Sequence, residues 1–113
     1  MVRLHYFFDP LCGWCYGAAP LIRAVADIPG VALSLHAGGL MSGARRQSAM
    51  TRSFVAAHDR RIHALSGQPF GDAYVNGLLQ DETAVLDSRP PALAVFAAET
   101  MGALGLEMLE RLQ

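Results

Sequence analysis

Leu4-His5-Tyr6-Phe7-Phe8-Asp9-Pro10-Leu11-Cys12-Gly13-Trp14-Cys15-Tyr16-Gly17 decides the reading of this chain. Leu4 to Phe8 is rich in aromatic residues and reads as the buried part of a strand spanning Val2–Phe8, and Asp9-Pro10 ends it because proline cannot continue a ladder. The segment after Cys12 reads as an amphipathic helix over 13–27, with Leu21, Ile22, Val25 and Ile28 as its apolar stripe. Pro20 frees the Tyr16 carbonyl and predicts a kink. The only two cysteines of the chain, Cys12 and Cys15, thus fall at a strand-to-helix junction. Unpartnered amide groups and the helix dipole there favour negative charge, and a thiolate over a thiol.

Outward from that stretch, Pro29-Gly30 stops the helix, and Val31–His36 alternates as a second strand with one face buried. A strand, a helix and a strand on short turns imply a parallel pair with a right-handed crossover. Gly38-Gly39 opens a flexible connection through Gly43. Helices follow. The first covers 48–66 with Met50, Phe54, His58, Ile62 and Leu65 inward and Arg52, Asp59, Arg60 and His63 off that stripe. A short one carries Phe70, Tyr74 and Leu78. The next is capped by Ser88, with Pro90 and Pro91 in its first turn and Leu93, Phe96 and Met101 inward. The last runs along Leu106, Leu109 and Leu112. Two parallel strands leave two open edges.

The chain has 113 residues, 52% hydrophobic and 17% charged, with a net charge of −1. That is apolar for its size, so some surface is expected to need cover, and no basic field argues for nucleic acid. No secretory signal precedes the first strand, and no stretch is long and apolar enough to cross a bilayer. Two cysteines at this spacing with no others read as a cytoplasmic redox motif rather than a secreted disulfide framework.

Residues 6–17 resemble the active-site segment of DsbA-like thioredoxin-fold oxidoreductases, most closely the cytosolic branch that includes the FrnE-like proteins. Gly38-Gly39-Leu40-Met41 and Ser88-Arg89-Pro90-Pro91 are similar to that branch too. The resemblance implies an α/β fold: a thioredoxin-like βαβ unit (1–40) followed by a truncated helical insertion subdomain (41–113). The family's C-terminal half, with two antiparallel strands, a closing helix and a substrate-holding cis-proline loop, is unmatched. The implied activity is protein or small-molecule thiol–disulfide exchange in the cytosol, with no cofactor beyond a redox-active cysteine pair and with glutathione as a candidate co-substrate.

In that chemistry Cys12 attacks and Cys15, nearly a turn further in and more buried, resolves. Gly13 permits the tight turn, and Trp14 shields the bond and offers an apolar surface. Asp9 and Pro10 shape the approach: Asp9 is a turn former first and a proton carrier second. His58 is a core histidine first and a tuner of the sulfurs second. Arg45, with Arg46, is a solvated pair first and a hold for a glutathione-like carboxylate second. Tyr6, Phe7 and Phe8 are core residues, and His36 is a solvated or capping strand end. A buried structural cysteine pair is the plain alternative. A metal site lacks ligands, since His58 and His63 are five residues apart. Two other functions compete: a glutathione-dependent transferase or isomerase, which the resolving Cys15 argues against, and a redox-sensing or interaction module, including a homodimer that swaps elements.

Overall fold

The computed structural model describes residues 1–113. Strand β1 (Val2–Phe8), helix α1 (Gly13–Ala26) and strand β2 (Val31–Ala37) follow in order. β1 and β2 run parallel without a bulge, from Val2 opposite Val31 to Phe8 opposite Ala37. They form a two-stranded sheet by themselves. The short return is possible because Gly30 adopts φ 84°, which side-chain-bearing residues avoid. Pro20 does not break α1: the helix is continuous, and the Tyr16 carbonyl it frees accepts from Gln68 Nε2 at 3.0 Å.

Beyond β2 the chain forms β3 (Arg45–Arg46), α2 (Ala49–Ser66), helical turns over 73–80, β4 (Val85–Leu86), α3 (Arg89–Gly102) and α4 (Gly105–Leu112). β3 and β4 pair antiparallel and close the neck of the α2 excursion. Sequence patterning missed this ladder because two-residue strands carry no periodicity. Ser48 caps α2 by accepting from the Thr51 N–H, and Gly67 at φ 75° ends it. No helix is long and apolar enough to cross a membrane.

The core sits where the end of β1 meets α3 and α4. Phe8, Val95 and Leu109 are buried together, with Tyr6, Cys15, Leu35, Phe96 and Met108 packed around them. Arg23 of α1 joins Glu107 and Glu110 of α4, so the first helix is tied to the last.

Several helical faces are rotated from their expected orientation. Leu21 of α1 and Ile28 just beyond its end are exposed, because Gly13 and Gly17 rather than the large apolar residues meet α2. In α2, Met50, Phe54 and Leu65 are exposed while Asp59 and Ile62 are buried. In α3, Leu93 and Met101 face solvent and Ala92, Val95 and Ala98 are inside, with Val95 packed on Leu109 of α4. β1 is largely exposed up to His5, and Phe7 lies outside the core, stacked on His36. β2 is half-buried on both faces rather than alternating. His36 also meets His5 across the sheet, Nε2 to Nδ1 at 2.8 Å.

Candidate active site

β1 delivers the chain to the site, and Asp9 turns it. The Asp9 carbonyl accepts from the Cys12 N–H at 3.1 Å. Its buried carboxylate accepts from the Leu11 N–H (2.9 Å) and the Ser88 hydroxyl (3.0 Å) on Oδ1, and from the Leu40 N–H (2.7 Å) on Oδ2. Three separate segments converge on one side chain. Ser88 therefore is not the side-chain cap of α3. Its hydroxyl donates to Asp9 and accepts from the Met41 N–H at 2.9 Å, in a backbone conformation (φ −71°, ψ −20°) already helical. Pro10 beside it is buried.

Cys12 occupies the N-cap position of α1 (φ −86°, ψ 118°), and its carbonyl accepts from the Tyr16 N–H at 3.1 Å. Its side chain makes no capping hydrogen bond, so the sulfur is not consumed by the helix end. Both cysteines are free thiols and half-buried. They differ in what surrounds them. Cys12 lines a cleft of about 730 Å³, whereas Cys15 packs against the Phe8–Val95–Leu109 core. Burial pushes the Cys15 thiol up from its ordinary range. A hydrogen bond from the main chain at Asp9 partly opposes this, and the adjoining Cys12 thiol adds to it. The Tyr6 phenol is likewise raised by its own burial and then by Cys15.

Gly13 has a helical backbone without positive φ, which corrects the expectation of a turn needing glycine. Its smallness serves packing instead. A Cβ at Gly13 would stand 2.9 Å from Ile62 Cδ1 and 3.1 Å from Asp59 Oδ1, and at Gly17 2.6 Å from Ile62 Cγ2. Trp14 is 43% exposed at the cleft. Its ring meets His58 edge-on at 6.2 Å, with Nε1 directed at His58 Nδ1 over a long 3.4 Å, while the Arg61 guanidinium stands 6.0 Å over it. His58 also packs against Phe54 at 4.3 Å with the rings tilted by 43°, and it reaches the motif through Trp14.

The cleft walls come mainly from the start of α1, from α2 and from residues 69–86, with the Leu40–Met41 loop and Leu112–Gln113 at the edges, and are mainly apolar. Asp59, on the buried side of α2, projects behind Gly13. Its Oδ2 accepts from the Tyr74 hydroxyl at 2.7 Å, and burial raises its carboxyl while that hydrogen bond opposes the shift. Phe70 bridges Tyr74 and Tyr16, edge-on to the latter at 5.3 Å. Arg45 is exposed on β3 and outside the cleft walls, where Arg52 is the only arginine. The sequence pattern does not single out Asp59, Arg52 or Tyr6 as site residues. The one available signal was the spacing of Arg52, Val55, Asp59 and Ile62 along a single face of α2.

No protein-family model and no curated protein matches the chain. Among solved structures, the chain is similar to the cytosolic disulfide reductase DsbM from Pseudomonas aeruginosa, at 50% identity over 98% of this chain and 52% of that one, with a TM-score of 0.89. A second structure of that reductase, with GSH, matches at 50% identity over 98% and 53%, with a TM-score of 0.90. A crystal structure from Nitrosomonas europaea, 23% identical over 98% and 52% with a TM-score of 0.84, shares the fold. The resemblance to DsbA-like thioredoxin-fold proteins is thereby borne out, and with it the α/β class. The chain spans about half the length of the structures it matches.

Proposed function

We propose that the site performs thiol–disulfide exchange through Cys12 and Cys15, in a cytosolic setting and with small thiols such as glutathione among its partners. The division of labour between the sulfurs carries this reading: Cys12 opens onto the cleft from a helix start, and Cys15 stands behind it against the core. The similarity to a cytosolic disulfide reductase, one structure of which holds GSH, supports the setting and the partner class.

The Cys12 thiolate attacks one sulfur of a substrate disulfide, and the other sulfur leaves as a thiolate that takes up a proton. Cys15 then gives up its proton and attacks Cys12. This releases the second substrate thiol and closes Cys12–Cys15, two electrons having passed to the substrate. Two glutathione thiols reverse the closure and leave as oxidised glutathione. The raised Cys15 thiol suits the second role, because a resolving group that stays protonated until the mixed disulfide forms does not compete for the first attack. Residues 1–40 supply both sulfurs in this reading, and 41–113 supply most of the cleft.

Intact-mass analysis after incubation with oxidised glutathione tests the assignment. Cys15→Ser is expected to accumulate a glutathione adduct on Cys12, while the unsubstituted protein proceeds to the internal disulfide. Equally fast adduct formation on Cys15 in Cys12→Ser would overturn it.

A further inference from the structure

The cleft at Cys12 is apolar except at a few points, and its far end carries a cation with little to do. Arg52 is the only arginine or lysine among the lining residues. Its side chain is only 12% exposed. One terminal nitrogen donates to the Gln47 carbonyl at 2.8 Å, and the other meets Glu82 at a loose 3.6 Å. Glu82 is 81% exposed, so water screens that pair. Nε is buried and unpartnered. A guanidinium withdrawn from water and left partly unsatisfied is costly, and a bound carboxylate would complete it.

We infer that Arg52 makes the cleft selective for extended peptide thiols or disulfides carrying a carboxylate about three residues from the reacting cysteine. This rests on the exchange chemistry proposed for Cys12. The spacing follows from α2. Asp59 lies directly behind Gly13, at the sulfur end of the cleft. Arg52 is seven residues earlier in the same helix. That is a displacement of roughly 10 Å at ~1.5 Å per residue, with the side chain slanting further toward the helix start. An extended peptide covers ~3.5 Å per residue, so three residues bridge the gap, whereas free cysteine does not. The walls between, including Phe54, Val55 and Tyr74, suit an apolar or small-residue run.

The test uses Cys15→Ser and end-blocked peptides in which a cysteine is followed by zero to four glycines and then Glu or Gln. Each peptide is supplied as its mixed disulfide with 2-mercaptoethanol, and the peptide adducts on Cys12 are compared by mass in competition. Glu is expected to exceed Gln by about tenfold near three-residue spacing and to lose that advantage at zero spacing. Arg52→Gln is expected to bring the ratio to about one and Arg52→Lys to restore part of it. Glu82→Gln, a surface change, is expected to raise it by freeing the guanidinium. A Glu/Gln ratio near one at every spacing in the Arg52 protein overturns the inference while leaving the exchange reading intact. A Cys12 that forms no adduct with peptide, 2-mercaptoethanol or oxidised glutathione removes both.

Discussion

Asp9 joins the loop before Cys12, the Leu40 loop and the start of α3, so disturbing it should be felt far beyond its own turn. In Asp9→Asn one oxygen can still serve the Leu11 N–H and the Ser88 hydroxyl, but the amide nitrogen then faces the Leu40 N–H, where Oδ2 now accepts at 2.7 Å. A charge-assisted hydrogen bond is exchanged for two opposed donors in a buried place, a loss of about 2 kcal/mol. Ser88→Ala removes the donor to Asp9 and strands the Met41 N–H, again about 2 kcal/mol. Because the two residues share a bond, the double variant should lose less than the sum, with a coupling on the order of 1 kcal/mol. Urea unfolding followed by far-UV circular dichroism reads this directly. At a slope of roughly 1–3 kcal/mol per molar, each single variant should lower the midpoint by about 1 M. Midpoints shifted by less than ~0.2 M, or losses that simply add, would refute the idea that a buried carboxylate organises the approach to Cys12.

Gly17→Ala should destabilise the protein by about 1–3 kcal/mol, although alanine is the better helix former, because its methyl would sit 2.6 Å from Ile62 Cγ2 and Ile62 is 1% exposed. An unfolding midpoint raised by this substitution would contradict the close α1–α2 contact. Asp59→Asn should change the pH dependence of stability. Burial raises the folded-state carboxyl, so the native state binds the proton more tightly than the unfolded chain does. Stability from this group is therefore fully present below the ordinary carboxylate range and declines as pH rises through the raised folded value. The asparagine keeps an oxygen for Tyr74 and should flatten that decline. Superimposable stability–pH curves for the two proteins would show that Asp59 is not held away from ionisation.

The βαβ unit was legible because its signals are local and agree: an aromatic strand, Asp-Pro, a helix with a Pro-Gly stop, and an alternating strand. The cysteine pair was legible for the same reason, since a motif four residues long needs no tertiary information to be placed at a helix start. What failed was the direction in which helices present their faces. Large apolar residues mark the expected inward faces, yet α1 docks through Gly13 and Gly17 and α3 buries Ala92, Val95 and Ala98. Helices that approach closely do so over small residues, and the large ones beside them are displaced to the rim. A stripe read from hydrophobicity alone then points the wrong way by part of a turn.

The same effect explains the site residues that sequence reading missed. Close packing over Gly13 is what brings Asp59 behind the motif and sets Arg52 two turns away along the same wall. Both are charged residues on a helix, and a charged residue read without a partner is assigned to solvent. Asp9 was read as a turn former for the same reason, although its partners Leu40 and Ser88 lie 31 and 79 residues away. The Cys12–Cys15 pair is thus visible in the sequence, and the polar groups that surround it are not. They belong to segments brought together only by the fold, so the sulfur pair is a local feature while its polar surroundings are tertiary.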